Sequence, residues 1–226
     1  MVNPVFVAVD TPDIAAARTL VAAVAPHVGG VKLGLEFFCA HGPAGIAAVM
    51  AGQHLPLFLD LKLHDIPNTV AGAVRSLASL SPAILTVHAA GGHAMLAAAR
   101  AAAPPATRVV AVTVLTSLDD ADLFSAGVVD GAAVQAQRLA GVVRGAGLDG
   151  IVCSPHEVAA VKAAWPDGLF VVPGVRPAGS DVGDQKRVMT PAAALAAGGS
   201  VLVIGRPITS ATDPAVAAAA IAASLR

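Results

Sequence analysis

The chain has 226 residues, of which 56% are hydrophobic and 13% are charged, and its formal net charge is −1. This length fits one large domain or two small ones, and the apolar content is ample for a buried core. The near-neutral charge and the lack of a basic run argue against nucleic acid or an anionic membrane surface as the main partner.

The sequence also indicates a compartment. Residues 1–10 lack the basic region and long apolar stretch of a signal peptide, and Gly, Pro or charged residues interrupt the apolar runs before they could span a membrane. Cys39 and Cys153 have no spacing typical of a metal site and are typical of buried thiols in a reducing compartment. We therefore expect a cytoplasmic protein.

Eight short runs of apolar, largely β-branched residues are predicted to be strands. Most are apolar throughout rather than alternating, which is typical of a parallel sheet covered on both faces. The runs are residues 5–10, 30–34, 56–62, 83–89, 108–115, 150–154, 169–175 and 200–206.

The alanine-rich segments between these runs are predicted to be helices. Four dipeptides place a capping side chain before a proline suited to the first helical position. They are Thr11-Pro12, Ser154-Pro155, Thr190-Pro191 and Asp213-Pro214. Ser154 and Glu157 also fit a capping box. Two long polar segments, residues 117–131 and 174–187, are predicted to be loops.

Eight strands alternating with helices predict an α/β fold, a (β/α)8 TIM barrel forming a single catalytic domain over residues 1–226. An open doubly wound sheet is the alternative, and the lack of a Gly-x-Gly-x-x-Gly motif after the first strand counts against it. In a barrel, functional residues lie at the C-terminal ends of the strands. The polar or glycine residues at those ends are Asp10, Lys32, Asp60, Lys62, His88, Thr116, Arg176, Gly205 and Arg206.

Charge is concentrated in "LFLDLKLHDIPNTV", residues 57–70. Asp60 and Lys62 are two apart on a strand and should point to the same side, with Asp65 just beyond. Lys32 ends the neighbouring strand and should lie close to Asp60. Flanking carboxylates favour the charged form of an ammonium, so Lys62 suits a proton donor rather than a Schiff-base nucleophile.

A phosphate site is predicted after the eighth strand. "IGRPI" ends that strand at the place where barrels commonly bind phosphate through backbone N–H groups, and Arg206 adds a planar cation. The segment 174–187 carries Arg176, Gln185 and three glycines and is suited to close as a lid.

Each of these functional assignments also has a purely structural alternative. Isolated Asp–Lys pairs at strand ends are usually structural ion pairs, and only their combination with the phosphate segment favours function. Asp10 either caps the following helix or contacts a ribose. His64 and His88 have no metal-spaced partner, so hydrogen-bonding roles and no metal site are expected.

Seven segments together resemble the orotidine 5'-phosphate decarboxylase family in its bacterial form. They are "VKLG", "FLDLKLHDIPNT", "VHAAGG", "VTVLTS", "LDGIVCS", "PGVRPAGSDVGDQKRVMTP" and "VIGRPIT". The resemblance runs in order from Asp10 to Pro214. The Asp-x-Lys-x-x-Asp motif alone is shared across a wider suprafamily.

This resemblance implies decarboxylation of orotidine 5'-monophosphate to UMP and CO2, the last step of UMP biosynthesis, with no metal or organic cofactor. It implies that Lys62 protonates C6, that Asp60 sits beside the substrate carboxylate and that Lys32 holds the array in place. It also implies a homodimer in which Asp65 and Thr69 reach into the partner's site. The other implied contacts are Asp10 with the ribose, Thr116 with the pyrimidine, Arg176 in the closing loop, and Gln185, Gly205 and Arg206 with the phosphate.

Two rival functions remain open at this point. A sugar-phosphate decarboxylase of the same suprafamily resembles this site but usually has Glu where Lys32 stands and needs Mg2+. The other rival is a catalytically silent barrel that binds a nucleotide phosphate. Buried like charges count against it, because they would add little to the affinity of a protein that only binds. The chain has no tyrosine, so its phosphate site must rest on arginine, glutamine and backbone groups.

Overall fold

The structure, a computed structural model, describes residues 3–177 and 189–225. Eight parallel strands close into a barrel in chain order, and the last strand pairs with the first. They are β1 Val5–Val9, β2 Gly30–Gly34, β3 Leu57–Leu63, β4 Ile84–His88, β5 Arg108–Val112, β6 Gly150–Val152, β7 Leu169–Val172 and β8 Val201–Ile204. This closed barrel confirms the predicted TIM-barrel fold, and it excludes the open sheet because none of the eight described strands is left at an edge.

Helices surround the barrel. They are α1 Ile14–Val24, α2 Leu35–Met50, α3 Pro67–Leu77, α4 Gly92–Ala102, α5 Asp120–Ser125, α6 Gly131–Gly145, α7 Val158–Ala164, α8 Pro191–Ala196, α9 Arg206–Thr209 and α10 Pro214–Ala223. Helix α2 is interrupted at Gly42, whose φ of 59° is followed by Pro43. Among the described residues, no helix has both the length and the apolar character needed to cross a membrane.

Two of the four predicted helix starts are confirmed. The side chains of Thr190 and Asp213 accept backbone N–H groups at the beginning of α8 and α10, and proline occupies the first turn of each helix. The other two predictions were wrong in position. Helix α1 begins at Ile14 because Asp13, rather than Thr11, accepts the N–H of Ala16 at 2.7 Å.

The start of α7 differs for a similar reason. Glu157 Oε2 accepts the N–H of Ser154 at 3.0 Å, which is half of the predicted capping box. The hydroxyl of Ser154, however, accepts from the N–H of His156 rather than from that of Glu157. The chain therefore makes a turn first, and the helix begins at Val158.

The polar segment 117–131, predicted to be a loop, contains α5. Asp119 caps this helix, and the side chain of Asp122 accepts the N–H of Asp119 in return, which completes a capping box. The clustered carboxylates therefore start a helical turn instead of staying in an open loop.

The barrel interior is filled by apolar side chains from alternate strand positions. This inner group consists of Phe6, Ala8, Phe58, Ile84, Val110, Val112, Val152, Val171, Val201 and Val203. A side chain at Gly30 would place its Cβ 2.3 Å from the ring of Phe6, so this close approach requires glycine. The next inward positions, at or just beyond the ends of β1, β2 and β3, carry the polar side chains of Asp10, Lys32 and Asp60.

Candidate active site

A cavity of about 510 Å³ opens at the C-terminal ends of the strands. Its apolar wall includes Phe58, Val112, Val152 and Val203, which belong to the inner group. Its charged and polar lining includes Asp10, Lys32, Asp60, Lys62, Thr116, Arg176 and Arg206. The cavity thus combines an apolar base with charged groups, a combination typical of ligand sites.

The strand that carries Asp60 and Lys62 is bulged. Leu59 pairs with Leu85 and Leu63 pairs with Val87, so residues 60–62 of β3 lie opposite one residue of β4. Lys62 has a φ of 50°, in the left-handed region that is uncommon outside glycine. Regular strand alternation was the predicted reason for these two side chains to meet, whereas the bulge brings Lys62 onto Asp60.

Four charged groups form an alternating row. Lys62 Nζ lies 2.8 Å from both carboxylate oxygens of Asp60. Lys32 Nζ lies 3.6 Å from Asp60 Oδ2 and 3.2 Å from Asp10 Oδ1. The side chains of Lys32 and Asp60 are 11% and 13% exposed, whereas that of Asp10 is 59% exposed at the cavity mouth. Each charge in this row has an opposite charge as its neighbour.

Asp60 is held in its anionic form. Burial alone raises the pKa of Asp60, but the nearby Lys32 and Lys62 and the hydrogen bonds from Lys62 and Thr86 outweigh it and bring the pKa below the ordinary value. At neutral pH the cavity therefore presents a carboxylate in direct contact with an ammonium.

A pair of histidines lies beside this row. The rings of His64 and His88 stack with centroids 5.2 Å apart and an interplanar angle of 16°. Nδ1 of His88 accepts the N–H of Ala90, which leaves the ring proton on Nε2. Burial, followed by His64 and Lys62, lowers the pKa of His88. Within residues 3–177 and 189–225, no group of three His, Cys, Asp or Glu side chains could hold a metal ion.

Two predicted phosphate residues, Gly205 and Arg206, and the predicted loop residue Arg176 follow the adjacent strands β8 and β7. All three line the cavity, and Gly205 precedes the short helix α9. The N–H of Arg176 donates to the carbonyl of Met189 at 3.0 Å. Thr116, the predicted pyrimidine contact, lies on the wall after β5. Gln185 lies outside the described residues.

Asp65 and Thr69 are placed differently. Both residues are exposed and follow β3. Neither belongs to the described residues that line the cavity. Asp65 Oδ1 accepts the N–H of Ile66 at 2.6 Å, and the side chain of Ile66 is 66% exposed. Within one chain, therefore, Asp65 is not brought together with Lys32, Asp60 and Lys62.

Thr86 is a contact that the sequence analysis did not single out. Its hydroxyl lies 2.9 Å from Asp60 Oδ1, and the residue is completely buried. The available signal was its place on β4, two residues before His88 and on the same side of the strand. Thr209 and Ser210, also not predicted, line the cavity after β8.

Comparison with known proteins decides the family. The model of the family described as "Orotidine 5'-phosphate decarboxylase / HUMPS family" matches residues 3–221. The chain belongs to this family. Within the orotidine 5'-phosphate decarboxylase / HUMPS family, the orotidine 5'-phosphate decarboxylase of Novosphingobium aromaticivorans is 61% identical over 225 residues, with 100% of both chains covered. The protein of the same name from Sphingopyxis alaskensis is 59% identical, again over 100% of both chains.

Solved structures agree with this family assignment. The crystal structure of orotidine 5'-phosphate decarboxylase from Lactobacillus acidophilus superposes with a TM-score of 0.86 at 36% identity, covering 99% of each chain. The structure of the Pyrococcus horikoshii protein of that name has a TM-score of 0.80 at 19% identity, covering 98% of this chain and 99% of that one, and shows the shared fold alone.

Proposed function

We propose that this chain converts orotidine 5'-monophosphate to UMP and CO2, the last step of de novo UMP biosynthesis, without a metal or organic cofactor. The decisive observation is the contact of Lys62 Nζ with both oxygens of Asp60 on the wall of the cavity. The full-length similarity to proteins named orotidine 5'-phosphate decarboxylase supports this choice of substrate.

Lys62 is the proposed proton donor. When the bond between C6 and the substrate carboxylate breaks, CO2 leaves and the electron pair stays on C6. The Lys62 ammonium stabilises this developing negative charge and then transfers a proton from Nζ to C6, giving UMP. The neutral amine regains its proton from solvent, so one proton is consumed for each CO2 released.

Asp60 and Lys32 are proposed to set the charge around the reacting carbon. An anionic Asp60 beside the substrate carboxylate raises the energy of the bound substrate, and this repulsion is relieved when CO2 departs. Lys32 contacts both Asp10 and Asp60, so it keeps the Asp60 carboxylate in place. The three residues act as one unit, because each is held by its neighbour.

Contacts away from C6 are proposed to bind the rest of the nucleotide. Asp10 would bind the ribose at the cavity mouth, and Thr116 the pyrimidine. Gln185, Gly205 and Arg206 would hold the phosphate, and Arg176 would contact the ligand from the loop after β7. Binding of the distant phosphate can supply free energy for orientation of the pyrimidine. The predicted lid lies largely outside the described residues.

The functional unit is proposed to be a homodimer. The cytoplasmic location expected from the sequence stays a prediction. Asp65 and Thr69 would reach from each chain into the partner's cavity. Their exposure supports this, as does the exposure of Ile66 (66%) between them and of Leu35 (49%) at the end of β2. Apolar side chains exposed beside a site are typical of interfaces.

The direct test is turnover of orotidine 5'-monophosphate, labelled in its carboxylate, by the native chain with and without EDTA. We expect equimolar UMP and labelled CO2 at the same rate in both samples. Inactivity toward this nucleotide, combined with EDTA-sensitive decarboxylation of a keto-sugar phosphate, would support the sugar-phosphate rival. Tight binding of UMP without turnover would support the silent binder.

A further inference from the structure

Thr86 contacts both ends of the unit formed by Asp60 and Lys62. Its Oγ1 lies 2.9 Å from Asp60 Oδ1 and 2.9 Å from the backbone nitrogen of Lys62. The residue is 0% exposed and is not among the described residues that line the cavity. Thr86 therefore acts on any ligand only through its two neighbours.

The direction of both hydrogen bonds is fixed by chemistry. The backbone N–H of Lys62 can only donate, so Thr86 Oγ1 is its acceptor. The Asp60 carboxylate is ionised and can only accept, so the hydroxyl proton of Thr86 points at Oδ1. One hydroxyl uses both capacities at once, which an apolar side chain of the same shape cannot do.

The position of Thr86 in the sheet explains why these bonds are needed. Thr86 is the single β4 residue opposite residues 60–62 of the bulged strand. A bulge leaves ladder groups unpaired, and the N–H of Lys62 is satisfied by this hydroxyl instead of by a β4 carbonyl. The same hydroxyl stabilises a backbone conformation at Lys62, with φ of 50°, that an L-residue rarely adopts.

We propose that Thr86 is a positioning residue that holds the bulge of β3 so that the Lys62 ammonium stays on the Asp60 carboxylate. This inference rests on the proposed function, because it assigns Thr86 a part in the same proton transfer. None of the nucleotide contacts proposed above involves Thr86. Thr86 touches neither the cavity nor a charged group other than Asp60 in the hydrogen bonds described here.

The test compares Thr86→Val with Thr86→Ser. Valine keeps the shape and removes the hydroxyl, so kcat should fall at least about tenfold, as expected for loss of a hydrogen bond to a charged group. The KM and the Kd for UMP should change less than about threefold, because the residue does not line the cavity. Serine keeps both hydrogen bonds and should restore kcat to within about threefold of the native chain.

Thr107→Val is the matched control. Thr107 is also buried, and its hydroxyl donates to the carbonyl of Pro82 at 2.9 Å just before β5, at the opposite end of the barrel from the cavity. This variant should lose thermal stability as Thr86→Val does, but keep its kcat. Equal losses of kcat in the two valine variants would overturn the positioning role.

A crystal structure of Thr86→Val provides a readout that does not depend on turnover. We expect Lys62 to leave the left-handed region or its Nζ to lose contact with Asp60. Retention of both the φ of Lys62 and its two contacts with Asp60 would overturn the inference. If the native chain itself fails to turn over, the proposed function fails, and this structure still decides the role of Thr86.

Discussion

Lys62 Nζ lies 2.8 Å from both carboxylate oxygens of Asp60, although the backbone of Lys62 is in the left-handed region. The bulge of β3 places the ammonium on the carboxylate. Such preorganised charges stabilise a transition state without reorganisation at the moment of reaction.

Replacing Asp60 by Asn should lower both activity and stability. The variant leaves Lys62 without its counter-charge, so we expect kcat to fall at least about a hundredfold. The free energy of unfolding at pH 7 should fall by about 1–3 kcal/mol, because a hydrogen-bonded charge contact is lost. Urea unfolding at pH 7 measures the second effect, and unchanged turnover would remove any electrostatic role for Asp60.

The pH dependence of that stability difference has a defined sign. The pKa of Asp60 is lower in the folded chain than in the unfolded chain, so its contribution is present above the ordinary value of 3.8. It is lost as the pH falls through the folded value. The difference in free energy of unfolding between the native chain and Asp60→Asn should therefore become smaller as the pH is lowered. Asp167→Asn, at an exposed carboxylate, serves as the control.

His88 should make the fold sensitive to mild acid. Its pKa is depressed in the folded chain, so its contribution is complete above the ordinary value of 6.5 and is lost as the pH falls through the lower folded value. His88→Asn keeps an acceptor for the N–H of Ala90 but cannot titrate. Its stability should fall less between pH 7 and mildly acidic pH than that of the native chain.

The control for this measurement is His54→Asn, because His54 is exposed. This variant should follow the native chain at each pH when unfolding by urea is compared. If the free energy of unfolding of His88→Asn had the same pH dependence as that of the native chain, folding would not lower the pKa of His88.

The phosphate assignment predicts a dependence on the substrate rather than on the enzyme alone. Arg206→Ala should lower kcat/KM for orotidine 5'-monophosphate about a hundredfold, because a charged hydrogen bond to the phosphate is lost. It should change the much slower reaction of orotidine, which lacks the phosphate, less than about threefold. Arg18→Ala on α1, at an exposed arginine, is the control. Equal effects on both substrates would place Arg206 elsewhere than at the phosphate.

The dimer proposal predicts complementation between two inactive variants. Asp65→Ala and Lys62→Ala each disable every site in their own homodimers. A mixed dimer contains one site with an intact Lys62 and the partner's intact Asp65, so statistical mixing should restore about a quarter of the native activity per chain. Activity after refolding the two together, measured against each alone, is the readout. No restoration, despite mixed dimers detected by differential tags, would contradict the shared site.

Much of the fold was predictable because its signals are local. Eight apolar runs, each near in length to a buried strand, specified the strands, and their alternation with helices specified the barrel. Helix starts were less predictable. At α1 the carboxylate of Asp13 competes with the hydroxyl of Thr11 as the cap, and Asp13 accepts the N–H of Ala16. At α7 the hydrogen bonds of Ser154 and Glu157 close a turn before the helix begins at Val158. Such competition depends on distances that a spacing rule does not contain.

The site divides in the same way. Lys32, Asp60 and Lys62 were predictable as neighbours because they lie at the ends of adjacent strands. Thr86 was not, because its importance depends on the register between β3 and β4, where three residues oppose one. The sequence pattern of a strand does not reveal a bulge when the residues on both sides of it remain apolar.

In the proposed reaction Lys62 donates the proton to C6, and single-turnover formation of UMP by Lys62→Ala measures this role most directly. We predict a rate at least about a thousandfold below that of the native chain, because both charge stabilisation and the proton donor are lost. UMP binding should persist, since the phosphate contacts are intact. Lys162→Ala should behave as the native chain, because Lys162 lies on α7 and its ammonium donates to the carbonyl of Pro166. UMP formation by Lys62→Ala at the native rate would contradict the account.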